Sequence, residues 1–231
     1  MLNQKNGKYL EKIRHRTRLR SRTIYPIIKL FNPWYQQKFC SLDPVFHLFD
    51  SKKNYSMLEI GTRFGESAYK FLSSNERNVY IGIDPYISYD DYRADGFDKV
   101  LRKSANKTYE KVLRNLEKKF PGRSTIIRKF SDDASSLIDD ESLDFIFVDG
   151  NHEYQYVLRD LENYWPKLKI GGIMAGHDYF MRNIRNGGHY DRDMVFEAVR
   201  DFSLSQNLEV NSFGVFDSNL EMCFAIKKNF R

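Results

Sequence analysis

A chain of 231 residues with 41% hydrophobic side chains is long enough to bury one sizeable core. Its two cysteines, Cys40 and Cys223, are too few for a disulfide framework and match no metal spacing, which points to a reducing compartment. No apolar stretch approaches the roughly eighteen residues of a membrane span, and the N-terminus lacks the apolar segment of a secretory signal, so a soluble, cytoplasmic protein is expected.

The net charge of +6 is unevenly spread. Residues 1–40 hold ten Lys or Arg against one acid, Glu11, and carry +9, which leaves the remainder slightly acidic at −3. We therefore divide the chain into a basic N-terminal arm with a helical or strap-like extension, 1–50, and a main domain, 51–231. The segment "KIRHRTRLRSR" (12–22) suits a solvated extension, or one that binds nucleic acid, an anionic membrane surface or an acidic partner; its scarcity of acids also fits a mitochondrial presequence. The following "TIYPIIKLFNPWY" is apolar enough to pack on the main domain.

From residue 55 short apolar runs alternate with helical patterns. "YSMLEI" (55–60), "NVYIGI" (78–83), "STIIRKF" (124–130), "LDFIFV" (143–148) and "GGIMAG" (171–176) read as buried parallel strands. "ESAYKFLSS" after the first, "NKTYEKVLRNLEKKF" (106–120) and "EYQYVLRDLENYWPKL" (153–168) read as helices. This alternation predicts an α/β fold: a Rossmann-like doubly wound sheet with ligands at the carboxyl ends of its strands. The end of the chain differs, because "MVFEAVRDFSLSQ" (194–206) reads as a helix and "LEVNSFGVF" and "LEMCFAIKK", flanking the turn "DSN" (217–219), as an antiparallel strand pair.

The first strand runs into "LEIGTRFGES". Gly61 allows a sharp bend and Gly65 a close approach of backbone to ligand, as in a nucleotide-binding turn. The third glycine of a dinucleotide fingerprint and the Gly-Lys-Ser/Thr of a P-loop are absent, which disfavours NAD and ATP. Asp84 closes the second strand nineteen residues past Gly65, where a carboxylate can accept hydrogen bonds from ribose hydroxyls.

"LEIGTRFG", "GIDPY" and "LDFIFVDGNHEYQYVLRDLENYWPKLKIGGIMAGHDY" (143–179) together resemble class I S-adenosylmethionine-dependent methyltransferases, and in particular the small-molecule O-methyltransferases that include macrolide-sugar enzymes. The resemblance runs from about Tyr55 to Ile226. It implies that Glu59 orients the amino-acid end of S-adenosylmethionine, with Gly61, Thr62 and Gly65 lining it. It further implies that Asp84 takes the ribose and that Ser131 and Asp132 lie near the adenine. His152 falls on the general base of the sugar methyltransferases. Asp149 and Asp178, at the ends of the fourth and fifth strands, would act beside it, with His177, as ligands of a Mg²⁺ ion that acidifies the acceptor hydroxyl. A histidine in that set departs from the oxygen ligands that Mg²⁺ prefers.

Each residue also has a plainer role open to it. Asp149 or Asn151 would cap the helix that begins near Glu153, and His152 would hydrogen-bond at its start. Two polar loops, 86–99 and 180–193, lie where an acceptor must enter, with Tyr179, Arg182 and His189 as contact candidates. The expected activity is O-methylation of a sugar or other polyhydroxylated small molecule. A nucleic-acid methyltransferase using the basic arm, and a non-methylating member of the fold, hydroxylase-like or a binding module, are the alternatives. A homo-oligomer stays open.

Overall fold

The computed structural model describes residues 40–87, 98–179, 194–214 and 222–229, with the backbone alone for 98–104. The basic arm, most of the loop 86–99, the loop 180–193 with Arg182 and His189, and the "DSN" turn lie outside the described residues.

The apolar runs form the strands. They are β1 (Ser56–Ile60), β2 (Val79–Ile83), β3 (Ser124–Ile127), β4 (Leu143–Val148), β5 (Leu168–Gly176), β6 (Val210–Gly214) and β7 (Met222–Lys227). They join in one seven-stranded sheet of order β3-β2-β1-β4-β5-β7-β6. The strands from β3 to β5 are parallel; β7 is antiparallel to β5, and β6 to β7. The expected doubly wound α/β sheet with its C-terminal antiparallel pair is therefore present. Nearly every residue of β4 is buried, as a strand covered on both faces requires. The strand order reverses between β1 and β4, which opens a crevice at their carboxyl ends.

Helices α1 (Glu66–Ser74), α2 (Asp98–Lys119), α3 (Ser131–Ala134), α4 (Tyr154–Tyr164) and α5 (Val195–Gln206) connect the strands. Val157, Leu161 and Tyr164 of α4 and Val199 and Phe202 of α5 pack with Leu58, Ile60, Ile146 and Val148 in one continuous core. Phe145, whose side chain alternates with that of Ile146 across the pleat, meets a second aromatic layer. Phe49 lies against it and against Phe71 of α1, with ring centroids 4.4 and 5.2 Å apart. The short 3-10 helix Asp43–Leu48 joins this domain: Leu42 and Val45 are fully buried, and the Cys223 thiol donates to the Ser41 carbonyl at 3.3 Å.

The boundaries depart from the sequence pattern in several places: α4, read as 153–168, stops at Tyr164, two residues before Pro166, and β3, read as 124–130, stops at Ile127. Helix α2 begins eight residues before the predicted 106, in "DKVLRKSA", where charged residues hide any apolar periodicity. β5 starts at Leu168 rather than at residue 171, because Gly171, in left-handed backbone, accommodates an irregularity in its register with β4. The four-residue α3 and the 3-10 turn Ser135–Leu137 are too short to leave a periodic signal.

Candidate active site

The turn after β1 is built by close contact. Gly61 has φ +94° and donates its N–H to the Ile83 carbonyl at 2.8 Å. A Cβ there would run into the Asp149 carbonyl oxygen, so only glycine lets the turn lie against the end of β4. Gly65, φ +80°, is the N-cap of α1 and donates to the Thr62 carbonyl at 2.8 Å, while the Thr62 side chain is buried beneath.

Asp84 ties this turn to the exit of β2. One carboxylate oxygen accepts the Arg63 N–H at 2.8 Å and the other the Tyr86 N–H at 2.7 Å. Arg63 and Tyr86 both sit in left-handed backbone, φ 48° and 46°, a strained conformation for residues with side chains. Burial raises the Asp84 carboxyl above its ordinary range, and the two N–H donors oppose that shift. Each oxygen keeps a second lone pair, so the carboxylate can still accept from a ribose.

Glu59 is buried at the end of β1. The Tyr80 hydroxyl donates to it in a short hydrogen bond and stands 3.4 Å from the Thr62 hydroxyl. Burial is the first cause that drives the Glu59 carboxyl up to about 8, against the lowering effect of hydrogen bonds from Tyr80 and Ser67; the neighbouring Asp149 and Glu66 raise it further.

Asp149, His152, His177 and Asp178 come together at the carboxyl ends of β4 and β5. His152 bridges the two aspartates, with Nδ1 3.3 Å from Asp178 Oδ2 and Nε2 3.5 Å from Asp149 Oδ1. His177 Nδ1 lies 3.4 Å from Asp178 Oδ2 and 3.7 Å from Asp149 Oδ1. Asp178 is a third non-glycine residue in left-handed backbone, φ 55°. Asn151 accepts the Glu153 N–H at 2.9 Å in a turn ahead of α4, whose N-cap is Glu153 without a side-chain cap bond, so neither Asp149 nor Asn151 caps the helix as expected. The His152 carbonyl accepts the N–H of Met194, the N-cap of α5, at 2.9 Å. The carboxylates expected to hold Mg²⁺ thus face imidazoles. Among the described residues no group of three or more His, Cys, Asp or Glu is arranged to hold a metal ion, so the expected set Asp149, His177 and Asp178 does not fit one as it stands.

The adenine candidates have other partners. Asp132 is exposed, forms an ion pair with Arg159 at 3.0 Å and accepts from Asn163 at 3.1 Å; the Ser131 carbonyl accepts the Tyr164 hydroxyl at 2.7 Å. Tyr179 packs on Phe196 and Phe224, ring centroids 5.1 and 5.7 Å away, and faces the core.

Two buried polar residues escaped the sequence reading although each left a trace. Tyr80 is a hydroxyl inside an otherwise apolar strand, and Asp160 is a carboxyl on the buried stripe of α4. Burial pushes Asp160 up to about 7, opposed by a hydrogen bond from Ser131.

An open sheet of this order, with a glycine turn after β1, a carboxylate ending β2 and acids at the ends of β4 and β5, defines a class I, S-adenosylmethionine-dependent methyltransferase domain. The family described as "Methyltransferase domain" matches residues 58–179, and the chain belongs to it. The fold is shared with a Staphylococcus aureus protein assigned as a caffeoyl-CoA O-methyltransferase (TM-score 0.56, 18% identity, covering 96% of this chain and 99% of that one). It is also shared with an S-adenosylmethionine-dependent methyltransferase from Aquifex aeolicus (TM-score 0.54, 17% identity, 87% and 95%). A third structure of this fold is TrmK from M. capricolum in complex with S-adenosyl-homocysteine (TM-score 0.55, 15% identity, 81% and 67%). The uncharacterized protein y4gI of Sinorhizobium fredii is 39% identical over 59 residues, and the match spans 26% of this chain and 6% of that much longer protein.

Proposed function

We propose that the protein methylates a hydroxyl group of a sugar or another polyhydroxylated small molecule, with His152 as the general base. The observation that carries this reading is the imidazole of His152 held between two carboxylates, its Nδ1 3.3 Å from Asp178 Oδ2. An Nδ1–H donated to Asp178 leaves the Nε2 lone pair to take a proton, and the carboxylate stabilises the imidazolium that results. Asp149 Oδ1 lies 3.5 Å from Nε2 and stabilises the imidazolium once that nitrogen has taken the proton.

The turn and carboxylates fit the cofactor. Glu59 would receive its amino-acid end, Gly61, Thr62 and Gly65 would line it, Asp84 would accept from the ribose, and Ser131 and Asp132 would lie toward the adenine. When bound, the cofactor supplies an activated methyl group, so the chain's own task is to align the acceptor oxygen and remove its proton. The paired histidines and aspartates are not arranged around a cation, and no step here runs through Mg²⁺.

His152→Ala is expected to lower turnover by about 10²-fold or more while cofactor affinity stays near wild type, because the lost interaction belongs to the transition state. Activity on a panel of sugars, followed with and without EDTA, is the measurement. A fully active His152→Ala protein would sink the reading, and activity abolished by EDTA and restored by Mg²⁺ would move proton removal to a bound cation. The basic arm favours a second reading, a nucleic-acid acceptor; binding to RNA or DNA that weakens steeply with salt, together with methyl transfer to it, is its signature.

A further inference from the structure

We propose that Tyr80 is the positioning residue for Glu59, and that Glu59 gives up a proton when it receives the cationic amino-acid end of the cofactor. The inference rests on the reading that Glu59 receives that end.

The geometry begins at Gly82. A Cβ there would collide with the Thr62 hydroxyl and lie 2.9 Å from the Tyr80 ring and 2.8 Å from Ile126. The missing side chain leaves a notch in β2 where the Tyr80 ring passes beneath Thr62 to reach Glu59 on the neighbouring strand; Gly82 and Glu59 are register partners. Tyr80 is 1% exposed and Glu59 2%, so the pair is shut off from water. The groups that face Glu59 are the hydroxyls of Tyr80 and Tyr86 from β2 and its exit, Ser67 and Glu66 from α1, and Asp149 from the end of β4. Two of these are acids and three carry hydroxyls. A carboxyl group shut off from water beside the notch holds its proton until a cation arrives; burial is the first cause of its value of about 8, and the nearby acids Asp149 and Glu66 add to it.

The exchange balances without a co-reactant. The O–H bond of the Glu59 carboxyl breaks, the proton passes to the buffer, and the carboxylate pairs with the incoming ammonium. Tyr80, which donates to the same carboxyl, favours the ionised form and holds the oxygen in place.

The test is calorimetric titration of the purified full chain with S-adenosylmethionine at about pH 6.5, where an α-amino group keeps its proton, in buffers of differing ionisation enthalpy. Wild-type protein is expected to release close to one proton per cofactor bound, and 5′-methylthioadenosine, which lacks the amino-acid end, to release none. Glu59→Gln should bind more weakly with no release. Tyr80→Phe keeps the ring in the notch but removes the donor. It is expected to lose roughly tenfold in affinity and to move the pH at which affinity levels off upward, a displacement that a merely structural role would not produce. Wild-type binding without proton release, or equal release with methylthioadenosine, overturns the proton exchange. An unchanged Tyr80→Phe pH profile overturns the role of Tyr80. If Glu59→Gln binds as tightly as wild type, the reading of Glu59 as the receiver of the amino-acid end fails instead.

Discussion

Glu59, at about 8, and Asp160, at about 7, carry folded-state values well above the ordinary 4.5 and 3.8, and burial is the first cause in each case. A raised value means that the stability these groups contribute is fully present below the unfolded-chain value and is lost as pH rises through the folded one. The cofactor-free protein should therefore lose stability between about pH 4.5 and pH 8 through Glu59 and between about pH 3.8 and pH 7 through Asp160, by up to about 1.4 kcal/mol per pH unit and per group. Thermal melts across that range are the measurement, and Asp160→Asn, which keeps the size and stays neutral, should flatten the slope; parallel curves for the two proteins would count against it. Asp84 has a comparable double duty. Asp84→Ala removes the acceptor of two backbone N–H groups in strained turns, so it is expected to cost about 2–4 kcal/mol in urea unfolding in addition to any loss of cofactor affinity. A variant as stable as wild type would limit Asp84 to ligand binding.

Among the elements, the turn from β1 to α1 is the least tolerant. Gly61→Ala must accept both a positive φ and a collision with the Asp149 carbonyl, and is expected to lose about 3 kcal/mol or more, or to fail to fold, whereas Gly122→Ala, also at positive φ but in open space, should cost less; chemical denaturation compares them. The strands and this turn were legible in the sequence because continuous apolar runs and two glycines four apart are local signals. The meeting of Asp149, His152, His177 and Asp178 was legible too, since adjacent parallel strands bring their ends together. The rest was hidden for physical reasons. The onset of α2 lies in charged residues, and α3 is a single turn without periodicity of its own. The Tyr80–Glu59 bond joins residues twenty-one apart through a notch that only packing creates. Left-handed backbone at Arg63 and Tyr86 has no composition to announce it, because neither is glycine, asparagine or aspartate.

For the molecule as a whole, the charge division makes a prediction of its own. Removing residues 1–22 takes away most of the excess positive charge and is expected to change binding to anionic partners before it changes turnover; a folded, truncated protein that cannot bind S-adenosylmethionine would contradict that separation. A further consequence follows from the position of β7, which comes last in sequence yet lies inside the sheet, between β5 and β6. A ribosome delivering this chain exposes the edge of β5 and an unpaired β6 until residues 222–227 emerge, so this sheet closes only after β7 has been synthesised. Chains halted after Gly214 should therefore collect in aggregates during synthesis, since unpaired strand edges template association, while chains that include β7 should not.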